Sequence, residues 1–191
     1  MHIDAASVPY LDSVLKRCLD LIICLLLIGP ASIIIAVAGL AVLICDGRPV
    51  ILMQPRVGKG GRVFHLPKLR TMKDSHGGRC QEITRVGRFL RRHRLDELPQ
   101  MFSVILGQMT LVGPRPELVN IVAEYDEFHR QRLRAKSGVT GLWQIKGSRR
   151  KRIHEALGYD MLYLRRASLC LDVKILVMTV NFMISPGAAR E

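Results

Sequence analysis

The chain has 191 residues, and 29 lysines and arginines against 16 acidic residues give it a formal net charge of +13. That length admits one domain plus a membrane segment, and the charge points to an anionic partner: nucleic acid, anionic lipid head groups or phosphorylated substrates. Five scattered cysteines with no CxxC pair argue against a disulfide frame or a zinc site, and for reduced thiols on the cytoplasmic side.

Residues 2–15 read as a short amphipathic lead. Leu21 to Cys45 then carries no charged residue, while Lys16, Arg17 and Asp20 precede it and Asp46 and Arg48 follow it. About 20 apolar residues suffice to cross a bilayer. The run is too long for a signal-peptide core and lacks a small-residue cleavage site. Gly29-Pro30 interrupts its middle. Proline removes a backbone donor and clashes with the preceding turn, so the helix is expected to kink there. Both flanks are basic and prefer the cytoplasmic face. A helix that enters the membrane, bends at Gly29-Pro30 and returns satisfies both flanks; a straight span puts one of them outside. A simple N-terminal anchor with one end outside is the alternative; on the re-entrant reading the chain divides into a lead and re-entrant helix, 1–46, and a cytoplasmic-face domain, 47–191.

Gly47-Arg48-Pro49 marks a turn. Val50–Met53 and Val63–Leu66 are short apolar runs around the Gly-rich stretch 56–62, a β-hairpin pattern. No Gly-x4-Gly-Lys-Ser/Thr pattern is present, so its glycines read as a turn before a phosphate loop. Residues 74–82 read as an exposed loop, and Thr84–Arg94 as an amphipathic basic helix with Val86, Phe89 and Leu90 on one face. Pro99 suits the first turn of a helix through Leu106. Residues 112–116, Val-Gly-Pro-Arg-Pro, form a rigid non-helical loop. Glu117–Ala135 shows helical spacing, ended by Gly138 and Gly141. Ile153–Arg166 is a further helix, and Leu169–Ile184, too short for a comfortable span, suits the membrane interface or the core. The fold expected is mainly α with a short β-hairpin, a Pro-kinked membrane helix and amphipathic interfacial helices.

Asp96-Glu97 follows Arg91, Arg92 and Arg94 and precedes Pro99. Adjacent acids often mark a helix N-terminus, where they favour the positive end of the dipole. The same pair, ionised among guanidinium groups, suits a carboxylate nucleophile. Arg115 lies between two prolines, which restrict its backbone, and its planar fork matches phosphate. Lys68 and Arg70 follow the hairpin. The six histidines show no HExxH or His-x-His spacing, and there is no Gly-x-Ser-x-Gly elbow. With 5% aromatics and Trp143 the sole tryptophan, stacking platforms for single-stranded nucleic acid are sparse. The ensemble suggests phosphate chemistry at a membrane surface; a non-catalytic basic module on anionic lipid or nucleic acid is the alternative.

Taken together, Lys16-Arg17 through Asp20, Gly29-Pro30, 54–58 (QPRVG), 68–72 (KLRTM), 95–100 (LDELPQ), 111–117 (LVGPRPE), 137–144 (SGVTGLWQ), 160–163 and 171–174 (LDVK) resemble, in order, the monotopic phosphoglycosyl transferases, or bacterial sugar transferases. The resemblance implies transfer of a sugar phosphate from a UDP-sugar to a polyprenyl phosphate, with Mg2+ and release of UMP. It implies that Asp96 is a nucleophile that becomes covalently phosphorylated. Glu97 would manage protons or share the metal with Asp96, and Lys68, Arg70, Arg91, Arg115 and Arg149 would hold phosphate. It also implies a bacterial inner-membrane protein on the cytoplasmic face, among anionic lipids, with no nucleic-acid partner; a homodimer stays open. Two positions depart from the family: glycine replaces the usual serine at 29, and Ser148 separates Gly147 from Arg149.

Overall fold

The computed structural model describes residues 9–75, 80–146 and 157–184. Ser13 caps the first helix, its hydroxyl accepting from the Lys16 N–H at 3.1 Å, and α1 runs over Val14–Asp46 with Pro30 inside it. The helix assignment is continuous through Gly29 and Pro30. Only 17% of its most apolar window is buried, and Leu25, Leu26, Ile33, Val37 and Ile44 face outward. An apolar surface so poorly covered by protein is that of a helix long and apolar enough to cross a membrane, unlike a core helix.

The hairpin forms, and is longer than its apolar runs: β1, Ile51–Val57, pairs antiparallel with β2, Val63–Leu69, from Ile51↔Leu69 to Val57↔Val63. Within the expected loop 74–82, residues 74–75 and 80–82 are strand, while 76–79 lie outside the described residues. The strand residues belong to a second hairpin, β3 (Met72–Ser75) against β4 (Cys80–Ile83). Thr84 then caps α2 (Arg85–Arg92), its hydroxyl accepting from the Gly87 N–H at 2.8 Å. The helix after Pro99 forms as α3, Gln100–Ile105.

β5 (Thr110–Val112) runs parallel to β7 (Gly138–Thr140), bracketing the Pro-Arg-Pro loop. Glu117–Ala135 is not one helix. Glu117 and Leu118 form β6 on the open edge of β1, opposite Val57 and Arg56. α4 (Val119–Ala123) follows, and Asp126 caps a new start by accepting from the His129 N–H at 2.7 Å. α5 (Glu127–Arg130) then passes into a 3-10 turn, Gln131–Arg134. Strand pairing at one end and an aspartate cap in the middle thus override the helical spacing. α6 (Leu142–Lys146), α7 (Leu157–Arg166) and α8 (Leu169–Ile184) complete the described chain. The first residues of the expected helix from Ile153 lie outside it.

One apolar core joins Cys24 of α1, Phe64 and Leu66 of β2, Met101 and Val104 of α3, Leu111 and Val112 of β5, Tyr163 of α7 and Ile175 of α8. A second contact packs Ala38 and Val42, near the other end of α1, with Leu69 and Leu90. Polar groups fix the first turns of α1. Lys16 is buried and donates to Asp172 at 2.6 Å and to the Val112 carbonyl at 3.0 Å. Asp20 accepts from the Thr110 hydroxyl at 2.6 Å and the Leu111 N–H at 3.1 Å. Arg17 donates to the Val104 and Ile105 carbonyls at the end of α3. The membrane-type helix is therefore built into the domain by hydrogen bonds as well as by apolar packing.

Candidate active site

β2 carries Lys68 one residue before its end, and the last turn of α2 carries Arg91. Arg94 then takes a left-handed backbone, φ 55°, which ends α2 and turns the chain into the 3-10 turn Leu95–Glu97. Non-glycine residues seldom adopt that conformation, and it concentrates at functional turns. Leu95 packs beside Leu69, Leu90 and Val42, so an apolar anchor fixes the turn that presents Asp96 and Glu97.

From the other side comes Arg115. Two backbones must nearly touch to hold its loop: a Cβ on Gly138 would lie 2.2 Å from the Gly113 nitrogen, and one on Gly141 2.2 Å from the Gly113 carbonyl oxygen. Glycine alone permits this approach. It allows the Gly113 N–H to donate to Thr140 at 2.9 Å and the Gly138 N–H to Pro114 at 2.8 Å.

The two sides meet around a cleft of about 390 Å³ lined by Lys68, Arg91, Arg94, Asp96, Glu97, Arg115, Trp143 and Gln144. Lys68 Nζ lies 3.0 Å from Asp96 Oδ2 and 3.5 Å from Glu97 Oε1. Arg115 engages Glu97 with both terminal nitrogens, Nη2 to Oε1 and Nη1 to Oε2. Asp96 and Glu97 are both buried, while the Lys68 side chain keeps 20% exposure towards the opening. Burial pushes the Glu97 carboxyl up, but the Arg115 guanidinium, with Lys68 and Arg94 behind it, outweighs burial and holds it at about 2. The same contact with Glu97 raises Arg115 further, against its own desolvation.

Of the residues singled out from the sequence, Asp96, Glu97, Lys68, Arg91 and Arg115 converge on this cleft. Arg70 does not line it; its guanidinium donates to the Arg48 and Met72 carbonyls and braces the hairpin end. Arg149 lies outside the described residues. Arg94 was not singled out for the site, yet it lines the cleft, donates to the Gln144 carbonyl at 3.0 Å and lies 4.7 Å from the Phe182 ring of α8. The helix-ending left-handed turn at a basic residue leaves no composition signal.

Among the described residues no group of three or more histidine, cysteine or acidic side chains stands ready to cage a metal. Two adjacent carboxylates, Asp96 and Glu97, in a cleft lined by four cationic side chains nonetheless fit the way Mg2+ binds, through one or two carboxylates plus phosphate oxygens and water.

The sequence profile of the family described as bacterial sugar transferase matches residues 11–186. The chain belongs to this bacterial sugar transferase family. It is 41% identical over 148 residues, 69% of its own length, to a Xanthomonas campestris UDP-glucose:undecaprenyl-phosphate glucose-1-phosphate transferase. It is 31% identical over 190 residues, 92% of its length, to an Aeromonas hydrophila UDP-N-acetylgalactosamine-undecaprenyl-phosphate N-acetylgalactosaminephosphotransferase. An uncharacterized sugar transferase of Bacillus subtilis, EpsL, is 36% identical over 91% of the chain. The chain spans 31% and 45% of the first two proteins and 90% of the third.

Proposed function

We propose that this chain transfers a sugar-1-phosphate from a UDP-sugar to a polyprenyl phosphate, releasing UMP, as the first membrane step of polysaccharide or glycoconjugate assembly. The observation that carries the reading is a buried Asp96 carboxylate, 3.0 Å from Lys68 and next to the Glu97–Arg115 pair, at the floor of an open cationic cleft. A carboxylate oxygen of Asp96 attacks the β-phosphorus, the phosphoanhydride bond breaks, and its electron pair leaves with UMP. An oxygen of the polyprenyl phosphate then attacks the same phosphorus and displaces the carboxylate, giving the lipid diphosphosugar. Charge neutralisation and alignment dominate such transfers, and Lys68, Arg91, Arg94 and Arg115 supply four cations around the cleft.

Glu97 is suited to hold Arg115 and share in metal binding. Its low pKa leaves it ionised at neutral pH, which disfavours the proton-carrying role. Mg2+ held by Asp96, Glu97 and the diphosphate would supply further neutralisation of the leaving group.

The membrane reading is supported by where α1 touches the domain. Its first turns bond to β5, α3 and α8, and near its far end Asp46 accepts from Thr84 at 2.8 Å. A straight helix of 33 residues would be roughly 50 Å long. One buried stripe, Lys16, Asp20, Cys24, Ala31, Ala38 and Val42, runs along α1 against the domain; the bend near Gly29-Pro30 and a chain that stays on the cytoplasmic face of the inner membrane, among anionic lipids, rest on Pro30 and on the basic flanks of the apolar run.

The test is UMP release from a panel of UDP-sugars with polyprenyl phosphate and Mg2+. Asp96→Asn should lose turnover, because an amide is a far weaker nucleophile, and parent-like turnover in that variant would sink the mechanism. The sugar that supports turnover identifies the substrate, which the relatives' names leave divided among glucose, galactose and N-acetylgalactosamine.

A further inference from the structure

Arg132 is among the largest fully buried side chains, with 2% exposure, yet it lies outside the cleft. A buried guanidinium is costly unless its donors and charge are matched. Here Nη1 donates to the Tyr125 hydroxyl at 2.6 Å, and Nη2 donates to the Arg115 carbonyl at 2.8 Å. Nη2 also lies 2.7 Å from Asp160 Oδ2, and Nη1 3.7 Å from Glu117 Oε2. One planar fork therefore joins α7, β6 and the turn after α5 to the backbone of a single cleft residue.

Three further carbonyls of that loop are held as well. Val112 accepts from Lys16 and Tyr163, Pro114 from Gly138, and Pro116 from Arg56 at 3.5 Å. The Arg115 carbonyl belongs to the residue whose side chain meets Glu97. Its orientation sets the peptide plane, and with it the direction in which the Arg115 side chain leaves the loop.

We infer that Arg132 is a positioning residue: it holds the Arg115 peptide from behind, with Asp160 and Glu117 as counter-charges, so that the Arg115 fork meets Glu97 and the substrate phosphate. The inference rests on the reading of the cleft given above. Supporting groups of this kind fix the geometry of contacting groups without touching substrate. Lysine keeps the charge, but its donors radiate from one nitrogen and not from the two ends of a planar fork, so it cannot reproduce the separate Nη1 and Nη2 contacts to Tyr125 and to the Arg115 carbonyl.

The experiment is a double-mutant cycle in the full membrane-bound chain. Arg132→Lys should lower turnover by about 10- to 100-fold. Arg115→Ala should then cost at least about fivefold less in that background than in the parent, because the arginine it removes is already misplaced. Arg91→Ala, on another element, should combine additively with Arg132→Lys, which a general loss of stability would not distinguish from Arg115. Additive behaviour of Arg115 and Arg132, or parent turnover in Arg132→Lys, overturns the inference. If Arg132→Lys shows no cooperative unfolding transition, Tyr125→Phe, which deletes one acceptor, is carried through the same cycle with the same criterion. The cycle is also read in the Kd of UDP, which requires no turnover. An active parent with an additive cycle refutes the inference alone. An Asp96→Asn variant with parent turnover refutes the catalytic reading, and the binding cycle still decides the role of Arg132.

Discussion

Glu97 is 8% exposed and faces Arg115, Lys68 and Arg94, and this balance has a pH signature. Its folded pKa, about 2, lies below the ordinary carboxylate value. The stability it contributes is therefore fully present above about pH 4.5 and is lost as pH falls towards 2. The melting-temperature difference between the parent and Glu97→Gln should be constant from pH 5 to pH 8 and shrink only below about 4.5. A difference that instead changes between pH 5 and 7 would show that Arg115 does not hold the carboxylate. The dyad itself is legible in the sequence, because adjacent acids among arginines are locally distinctive. Arg132 is not: it is one cation in the run Arg130-Gln131-Arg132-Leu133-Arg134, and only the tertiary fold shows that this one is buried. The left-handed Arg94 is hidden for a related reason, since backbone handedness at a basic residue has no compositional mark.

Among the elements, β5 and β7 depend on glycine at their point of closest approach. Gly138→Ala would drive a Cβ into backbone atoms of Gly113 and Thr140 that cannot rotate away. It should lower stability by about 1–3 kcal/mol or more, and it should impair turnover by displacing the Arg115 loop. Thermal unfolding and UMP release measure both, and a parent-like melting temperature would refute the contact. The opposite holds at Gly29, where an added Cβ meets nothing within 4 Å. Gly29→Ser should therefore keep near-parent activity, restoring a hydroxyl that can satisfy a carbonyl freed by Pro30. The bend itself is tested by topology. With the native cysteines replaced, a cysteine at position 12 and one at position 62 should both resist an impermeant thiol reagent added outside intact cells. Labelling at 12 alone would favour a straight span. The first hairpin, α2, α3 and α8 follow from local patterns of apolar spacing, caps and proline. The run after Glu117 does not, because its first residues belong to β6, whose partner lies some 60 positions earlier in β1. The hairpin of β3 and β4 is likewise hidden by the polar, Gly-rich sequence of 74–82.

At the level of the whole molecule, α1 is a structural member of the domain. Deleting residues 1–46 should not release a soluble catalytic fragment. It would bare Met101, Val104, Leu69 and Leu90, and strand Asp172 in the core without its lysine, a loss of about 3–5 kcal/mol for a broken buried pair. Size-exclusion behaviour and UMP release of the fragment check this, and a monodisperse, active fragment would contradict it. The same ion pair also imposes an order in time. Lys16 and Asp172 are 156 positions apart, and the Val112 carbonyl is gripped by Lys16 and by Tyr163, itself bonded to Asp172. At about 5–20 residues per second, the ribosome leaves the first helix waiting on the order of ten seconds for its counter-charge. Until α8 emerges, the loop bearing Arg115 lacks its full anchorage, so the cleft takes its final shape only after Asp172 has been made and folded back onto the first turns of α1.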